Sequence, residues 1–173
     1  MSTTTAGSVS PAWRPSPDGT MPFADLLCHQ RIGRISGPVD RDGVIERLAA
    51  LLARPVEGHG LAAAAVAERL RERERLASTA LGHGVAIPHA RIGGLDRARG
   101  AFVLLDHGVS YAAPDGEPVD LVFAMAVPED EVAGHLAHLG EIAERFSDAD
   151  FRASLRAADD DRELARRLLG ADA

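Results

Sequence analysis

Cysteine, aromatic side chains and long apolar runs are all scarce in this chain. Its 173 residues include one cysteine, Cys28, and only 4% aromatic residues. A single thiol excludes an intramolecular disulfide. The longest uninterrupted apolar runs are seven residues each, against the roughly 20 needed to span a bilayer. The N-terminus also lacks the basic start and apolar stretch of a secretory leader. We therefore expect a cytoplasmic protein with an aliphatic core, peripheral to a membrane at most.

Positive charge is also in short supply. The 26 acidic residues outnumber the 19 Lys and Arg residues, which gives a formal net charge of -7. Proteins that bind nucleic acid neutralise several phosphates with Lys and Arg, so we expect no nucleic-acid partner. The one dense basic stretch, 69–75, interleaves Arg with Glu and is typical of a solvated helix face.

The composition divides the chain into a tail and one domain. Residues 1–20 are rich in Ser, Thr, Pro and Gly and contain few apolar residues, a composition that does not offset the entropy of ordering. We predict that 1–20 form a disordered extension. Residues 21–173 have a length typical of one domain, and we predict that they form a single unit.

The spacing of apolar residues indicates both helices and short strands in that domain. Helical spacing follows Asp40 and recurs at 61–76, 131–146 and 159–169, and the third stripe contains Leu136. Apolar runs predict short strands at 32–35, 85–87, 101–105, 109–111 and 119–126. The central order of two helices, strands and two helices predicts an α/β fold, a mixed β-sheet sandwiched by helices.

The segment from Arg73 to His89 contains the residues best suited to chemistry. Gly82 and Gly84 permit tight turns, a short apolar strand follows, and Pro88 fixes the backbone before His89. This order of residues presents one imidazole at the end of a strand. A histidine after a proline is more often a surface residue than a nucleophile, so both interpretations stay open on this segment alone.

Two residues elsewhere favour a functional site. Arg73 follows Leu70 by three residues on the apolar stripe of its helix, and His135 lies on the inward stripe of a later helix, with His138 toward the flank. Each residue has a structural alternative, because an Arg stem often covers apolar surface and a buried histidine is often a core residue. Two imidazoles and a guanidinium together suit a phosphoryl group.

Phosphoryl transfer requires these types of side chain. A neutral imidazole is a good nucleophile and forms a labile phosphoramidate, and the rest of the catalysis depends on positioning and charge. We predict that His89 accepts the phosphoryl group, that Arg73 binds its oxygens, and that His135 hydrogen-bonds it or orients His89. Ser78 or Thr79 is predicted to add a hydroxyl donor.

Four segments form a recognisable pattern. They are Arg73-Glu-x-Leu-x-Ser-Thr79, Gly82-x-Gly-Val-Ala-Ile-Pro-His89, Pro118-Val-Asp-Leu-Val-Phe-Ala-Met-Ala-Val-Pro128 and His135-Leu-x-His-Leu139. The pattern resembles the type-2 enzyme IIA domains of the bacterial phosphoenolpyruvate-dependent phosphotransferase system. That group serves mannitol and fructose permeases and includes nitrogen-regulatory members. The resemblance covers about 23–169.

The resemblance implies the same fold and assigns roles to three residues. In that family the histidine of the Pro-His motif accepts phosphate from a phosphohistidine carrier protein resembling HPr, and this histidine corresponds to His89. The second active-site histidine corresponds to His135, and the active-site arginine to Arg73. The implied activity is that of a phosphotransferase component whose acceptor is a IIB component or a regulated protein. Because no IIB or IIC segment is fused to the domain, we expect the nitrogen-regulatory type.

Three alternatives are open at this stage. A sugar-specific IIA would pass phosphate to a fructose or mannitol IIB component, and Ala90-Arg91, where members often have Gly-Lys, leaves this subtype undecided. A regulatory binding module of the same fold needs no turnover. A metal-dependent hydrolase is disfavoured, because no Glu stands between His135 and His138 in the metalloprotease arrangement. We therefore expect no metal site and no cofactor.

The surface around His89 is expected to be partly apolar. A phosphoryl group must be shielded from water while it passes between two proteins. Val85, Ala90 and Ile92 are the nearest candidates for this contact surface, and His83, six residues before His89, is expected to border the site.

Overall fold

The computed structural model describes residues 22–55, 60–131 and 133–170. The predicted extension at 1–20 lies outside the described residues. Within these ranges, no helix combines the length and the apolar character needed to cross a membrane.

Helices flank a central group of strands along the described chain. The helices are α1 (Phe23–Leu26), α2 (Arg41–Leu52), α3 (Ala63–Leu76), α4 (Ala133–Ser147), α5 (Ala149–Arg156) and α6 (Asp161–Leu169), with a 3-10 turn at His29–Arg31. The strands are β1 (Ile32–Ile35), β2 (Ala80–Gly82), β3 (Val85–Ala86), β4 (His89–Ile92), β5 (Arg99–Val109) and β6 (Val119–Pro128).

The strands form one mixed sheet with β5 and β6 at its centre. The order is β1-β5-β6-β3-β2, and β4 also pairs with β6. β5 and β6 are antiparallel, whereas β3 and β4 both run parallel to β6 along the same edge. Val85 lies opposite Leu121 and His89 opposite Met125. β3 and β4 are therefore two halves of one strand position, interrupted at Ile87 and Pro88.

Each face of the sheet has its own core. Val103 and Leu105 of β5 pack with α2 and α3, whereas Phe102 and Leu104 pack with α1, α4, α5 and α6. Alternate residues of a strand point to opposite faces, and the continuous apolar runs of β5 and β6 fit strands buried on both sides. The second core also contains all five phenylalanines of the chain. The predicted fold class, a mixed sheet sandwiched by helices, is confirmed.

Several predicted elements differ in detail. Residues 109–111 are not a separate strand, because β5 continues to Val109. The sequence patterns missed α1, α5 and the short strands β2 and β4. For α5 a signal was present, since the Asp148 side chain accepts from the backbone N–H groups of Asp150 and Phe151 at 2.8 and 3.2 Å, an ordinary N-cap.

The orientation of α4 also differs from the predicted one. Leu136 was expected on the inward stripe but is 71% exposed, whereas His138 was expected toward the flank and is fully buried. Phe146 and His135 are buried as predicted, and the inward face also contains Ile142, so the predicted stripe is rotated by part of a turn. Hydrophobic periodicity gave greater weight to leucine than to histidine and therefore placed Leu136 inward in place of His138.

Candidate functional site

His89 stands at the first position of β4, directly after the interruption in the strand. Its Nδ1 lies 2.8 Å from the carbonyl oxygen of Ile87. A carbonyl oxygen only accepts, so Nδ1 carries the proton and Nε2 carries the lone pair. The two neighbouring peptides are held as well, because the Ile87 N–H donates to Thr79 O and the Met125 N–H donates to Pro88 O, both at 3.0 Å. The Nε2 lone pair therefore has a defined direction.

Arg73 meets this lone pair from the last turn of α3. Its Nε donates to Nε2 of His89 at 3.1 Å, and its Nη1 donates to the carbonyl oxygen of Ala77 at 3.0 Å. The second contact anchors the guanidinium at the end of its own helix. If Nε2 attacks a phosphorus atom, this N–H must leave Nε2, and the nearest new acceptors are the oxygens of the arriving phosphoryl group.

His135 completes the arrangement from α4. The His89 and His135 rings have centroids 5.1 Å apart and planes inclined at 66°. His135 is 9% exposed, and its Nδ1 is buried without a hydrogen-bond partner. The structure thus brings together Arg73, His89 and His135, three residues from three different elements.

The environment keeps both imidazoles neutral. Burial is the main cause that lowers the pKa of His89, and the charge of Arg73 adds to it, while the Ile87 hydrogen bond and Glu74 oppose the shift. Burial, followed by the nearby His89 and Arg91, lowers the pKa of His135 to about 4. Both shifts favour the neutral imidazole, which is the nucleophilic form.

A cleft of about 660 Å³ opens in front of these residues. Among the described residues, its cationic wall consists of Arg69, Arg73, Arg75 and Arg91, and Glu72 is the one lining carboxylate. An excess of guanidinium groups favours an anionic ligand such as a phosphoryl group.

The rim of the cleft differs from the predicted apolar surface. Val85 and Ile92 are 1% and 7% exposed, so their expected role as contact residues is wrong, because both side chains fill the cores beneath the sheet. Ala90 lines the cleft but is also buried. The exposed apolar side chains are Leu76, which lines the cleft and is 82% exposed, and Leu136, which follows His135.

Sequence reasoning missed Glu74, which organises the approach to His89. Its buried carboxylate accepts from the Thr79 N–H at 3.0 Å and from the Thr79 hydroxyl at 2.6 Å. The carbonyl of Thr79 in turn holds the N–H of Ile87, whose carbonyl orients His89. A signal existed in the sequence, since Glu74 follows Leu70 by four residues and thus continues the apolar stripe of α3.

Ser78 and Thr79 donate their hydroxyl protons to other groups in this structure. The Ser78 hydroxyl donates to the carbonyl of Tyr111 and the Thr79 hydroxyl to Glu74. Neither residue lines the cleft. Their predicted contact with a phosphoryl group therefore stays a prediction that requires both hydroxyls to change partners.

His83 does not border this cleft. It lies in the turn between β2 and β3, where its N–H donates to Asp115 at 2.7 Å and its carbonyl accepts from Arg156 at 2.8 Å. Metal ligation was also considered for the histidines, and the described residues contain no group of three or more His, Cys, Asp or Glu positioned to hold a metal ion.

The family of the chain follows from comparison with known proteins. Residues 37–170 match the family described as "Phosphoenolpyruvate-dependent sugar phosphotransferase system, EIIA 2", and the chain belongs to this family. It is therefore a component of a phosphotransferase system.

Several individual relatives have a regulatory name. A nitrogen regulatory protein from Bradyrhizobium diazoefficiens is 39% identical over 140 residues, which cover 81% of this chain and 90% of that protein. One from Pseudomonas aeruginosa is 42% identical over 115 residues, 66% of this chain and 73% of that protein.

Two solved structures superpose on this chain. The crystal structure of nitrogen regulatory protein IIA-Ntr from Neisseria meningitidis superposes with a TM-score of 0.74 at 37% identity, covering 84% of this chain and 97% of that one. The mannitol IIA of Escherichia coli superposes with a TM-score of 0.64 at 20% identity, covering 82% and 98% of the two chains, and shares the fold.

Proposed function

We propose that this chain is a phosphoryl carrier of the nitrogen-regulatory type and that Nε2 of His89 is the atom that accepts the phosphoryl group. The observation that carries the proposal is the orientation of His89. Its Nδ1–H donates to Ile87 O at 2.8 Å, and its Nε2 lone pair accepts from the Arg73 guanidinium in a cationic cleft.

The proposed reaction is an exchange of one P–N bond for another. The lone pair of Nε2 attacks the phosphorus of a phosphohistidine on an HPr-like donor, the donor P–N bond breaks, and its electron pair returns to the donor imidazole. The Nε–H of Arg73 then donates its hydrogen bond to a phosphoryl oxygen in place of His89, and the guanidinium stabilises the developing charge. His135 faces the same space and supplies either a hydrogen bond to the phosphoryl group or steric orientation of His89.

The partner surface follows from the exposed rim. Leu76 and Leu136 are 82% and 71% exposed, and their burial against a donor or acceptor would exclude water from the phosphoryl group in transit. A solved complex of mannitol IIA with phosphorylated mannitol IIB supports a IIB component as one class of acceptor, and a regulated protein is the other. The relatives named nitrogen regulatory proteins favour the second class.

The sugar-specific alternative differs only in the acceptor. A fructose-specific EIIABC component from Bacillus subtilis is 34% identical over 92 residues, which are 14% of that protein. The cytoplasmic location predicted from the sequence is part of this proposal, because the donor and the soluble acceptors of such a carrier meet it there.

The test is phosphorylation of the purified chain. The protein is incubated with phosphoenolpyruvate, enzyme I and a phosphohistidine carrier protein, and its intact mass is measured at neutral or alkaline pH, where phosphohistidine survives. We expect a gain of one phosphoryl group in the wild type and none in His89→Ala. As a matched control, His107→Ala removes an exposed histidine and should leave the gain unchanged.

Two results would contradict parts of the proposal. Retention of the phosphoryl group in His89→Ala would exclude His89 as the acceptor. Absence of any gain with several matched donors would favour a binding module without turnover. Transfer from the phosphorylated chain to a fructose or mannitol IIB component would select the sugar-specific alternative.

A further inference from the structure

A second cationic cleft lies beside the start of β1. It encloses about 510 Å³ between the α1 region, the end of the α2 segment at Pro55, and the connection before β5. Of the residues that the structure describes, Arg31, Arg97 and His29 line it, together with one carboxylate, Asp25. None of these residues lines the cleft around His89.

Arg31 is the central observation. It is 6% exposed, and its Nε donates to the Cys28 sulfur at 3.1 Å, which is a weak acceptor. Its Nη1 is buried without a hydrogen-bond partner in the described part of the chain. Because a buried charge without a counter-charge is costly, this guanidinium would be stabilised by an anion entering the cleft that it lines.

Two further guanidinium groups lie close to Arg31. Burial is the main cause that lowers the pKa of Arg99, and the positive charges of Arg31 and Arg97 lower it further, while Asp96 opposes them. Arg99 has a partner of its own, so the anion would be held by Arg31 and Arg97. This concentration of cations is unexpected in a chain whose net charge is -7.

We propose that this cleft binds a small molecule carrying a phosphate or carboxylate group, held by the guanidinium groups of Arg31 and Arg97. The planar donor fork of Arg matches both groups. A volume of about 510 Å³ lies within the usual range for metabolite sites, about 300–1,000 Å³. The proposal involves no chemical step in this cleft, so its role is recognition of an effector and does not depend on phosphoryl transfer.

The test is a titration of full-length Arg73→Gln protein, in which the cleft at His89 has lost its central cation. Sodium pyrophosphate and disodium succinate are added separately at constant ionic strength, and the backbone amide resonances of 28–33 are followed by NMR. We expect saturable shifts with at least one probe. Loss of one charge-assisted donor pair in Arg97→Gln should weaken that affinity by roughly tenfold or more.

A matched control separates a site from general charge effects. Arg162→Gln removes an exposed arginine of α6 and should leave the affinity unchanged. Saturation by pyrophosphate alone identifies a phosphate site, and saturation by succinate alone identifies a carboxylate site. Shifts that never saturate, or an equal affinity in Arg97→Gln, would overturn the proposal. Neither result bears on the phosphorylation of His89, which is measured separately.

Discussion

The cleft around His89 has two walls that are built in different ways. The wall formed by α3 and β4 is a chain of hydrogen bonds from Glu74 through Thr79 and Ile87 to the Nδ1–H of His89. The α4 wall presents His135, whose buried Nδ1 has no hydrogen-bond partner, and the exposed Leu136. The first wall holds the proposed nucleophile in one direction, whereas the second leaves polar and apolar groups available for a ligand or partner.

This difference matches the demands of phosphoryl transfer. In-line attack requires a lone pair in a defined position. The backbone at the interruption between β3 and β4 orients the His89 imidazole through the Ile87 carbonyl and so fixes the position of its Nε2 lone pair. The phosphoryl group, its donor protein and its acceptor protein differ in shape. The α4 wall suits all three because His135 and Leu136 leave groups available for a ligand or a partner. Variants of each wall should therefore fail in different ways.

The largest expected effect comes from loss of the Arg73 guanidinium, which contacts His89. Arg73→Gln should slow phosphoryl acceptance by about 100-fold or more, the usual cost of removing a donor that stabilises transition-state charge. Arg69→Gln, in which another cleft arginine is lost, should change the rate by less than about threefold because its charge is exposed and already paired with Glu72. Rapid-quench measurement of the phosphorylated fraction checks both. Equal rates in the two variants would contradict the role of Arg73.

The hydrogen-bonded wall should be sensitive to Glu74. Glu74→Ala leaves the buried N–H of Thr79 without its acceptor and should lower the free energy of unfolding by about 2–4 kcal/mol. Glu74→Gln should cost much less, because its amide oxygen still accepts from the Thr79 N–H and its NH₂ group donates to the Thr79 hydroxyl. Urea denaturation of both variants measures the difference. Similar stabilities would show that the chain of hydrogen bonds does not depend on Glu74.

The α4 wall should instead affect the pH dependence of the free energy of unfolding, through His135. The pKa of His135 is lowered to about 4 in the folded protein from an unfolded value of about 6.5. Below pH 6.5 the His135 imidazole binds a proton in the unfolded state but not in the folded state. The free energy of unfolding therefore decreases as the pH falls toward 4. The steepest contribution is roughly 1.4 kcal/mol per pH unit for one proton.

This pH dependence has a specific control. His135→Asn should flatten the decline between pH 6.5 and 4, as measured by thermal unfolding at a series of pH values. His107→Gln should leave it unchanged, because His107 is exposed. His89 contributes in the same direction, so part of the decline should persist in His135→Asn. An unchanged profile in that variant would contradict the lowered pKa of His135.

The smallest expected effect lies at the rim. Leu136→Ser should weaken binding of the phosphohistidine donor by roughly tenfold, since burial of one leucine side chain contributes about 1.5–3 kcal/mol. The matched variant is Leu81→Ser, which removes an apolar side chain that is 46% exposed and belongs to the edge strand β2, a different element from α4. Titration of the donor into each variant gives the affinities. A greater loss in Leu81→Ser would move the docking surface away from α4.

Much of this architecture could be read from local patterns. Helical apolar spacing predicted α2, α3, α4 and α6, and continuous apolar runs predicted the two central strands, because both signals are repeated over many residues. The family pattern singled out Arg73, His89 and His135, and the structure places these side chains around one cleft. Their roles in transfer stay predictions until phosphorylation is measured.

The sequence by itself determined α2, α3, α4 and α6, the central strands and the motif that ends at His89, because each depends on neighbours within a few residues. Tertiary structure alone decided the phase of α4, which buries His138 and exposes Leu136, because helix orientation depends on what packs against it. The same holds for the approach of Arg97 to Arg31. Charge and hydrogen-bond partners distant in sequence meet only after folding, so no local pattern records them.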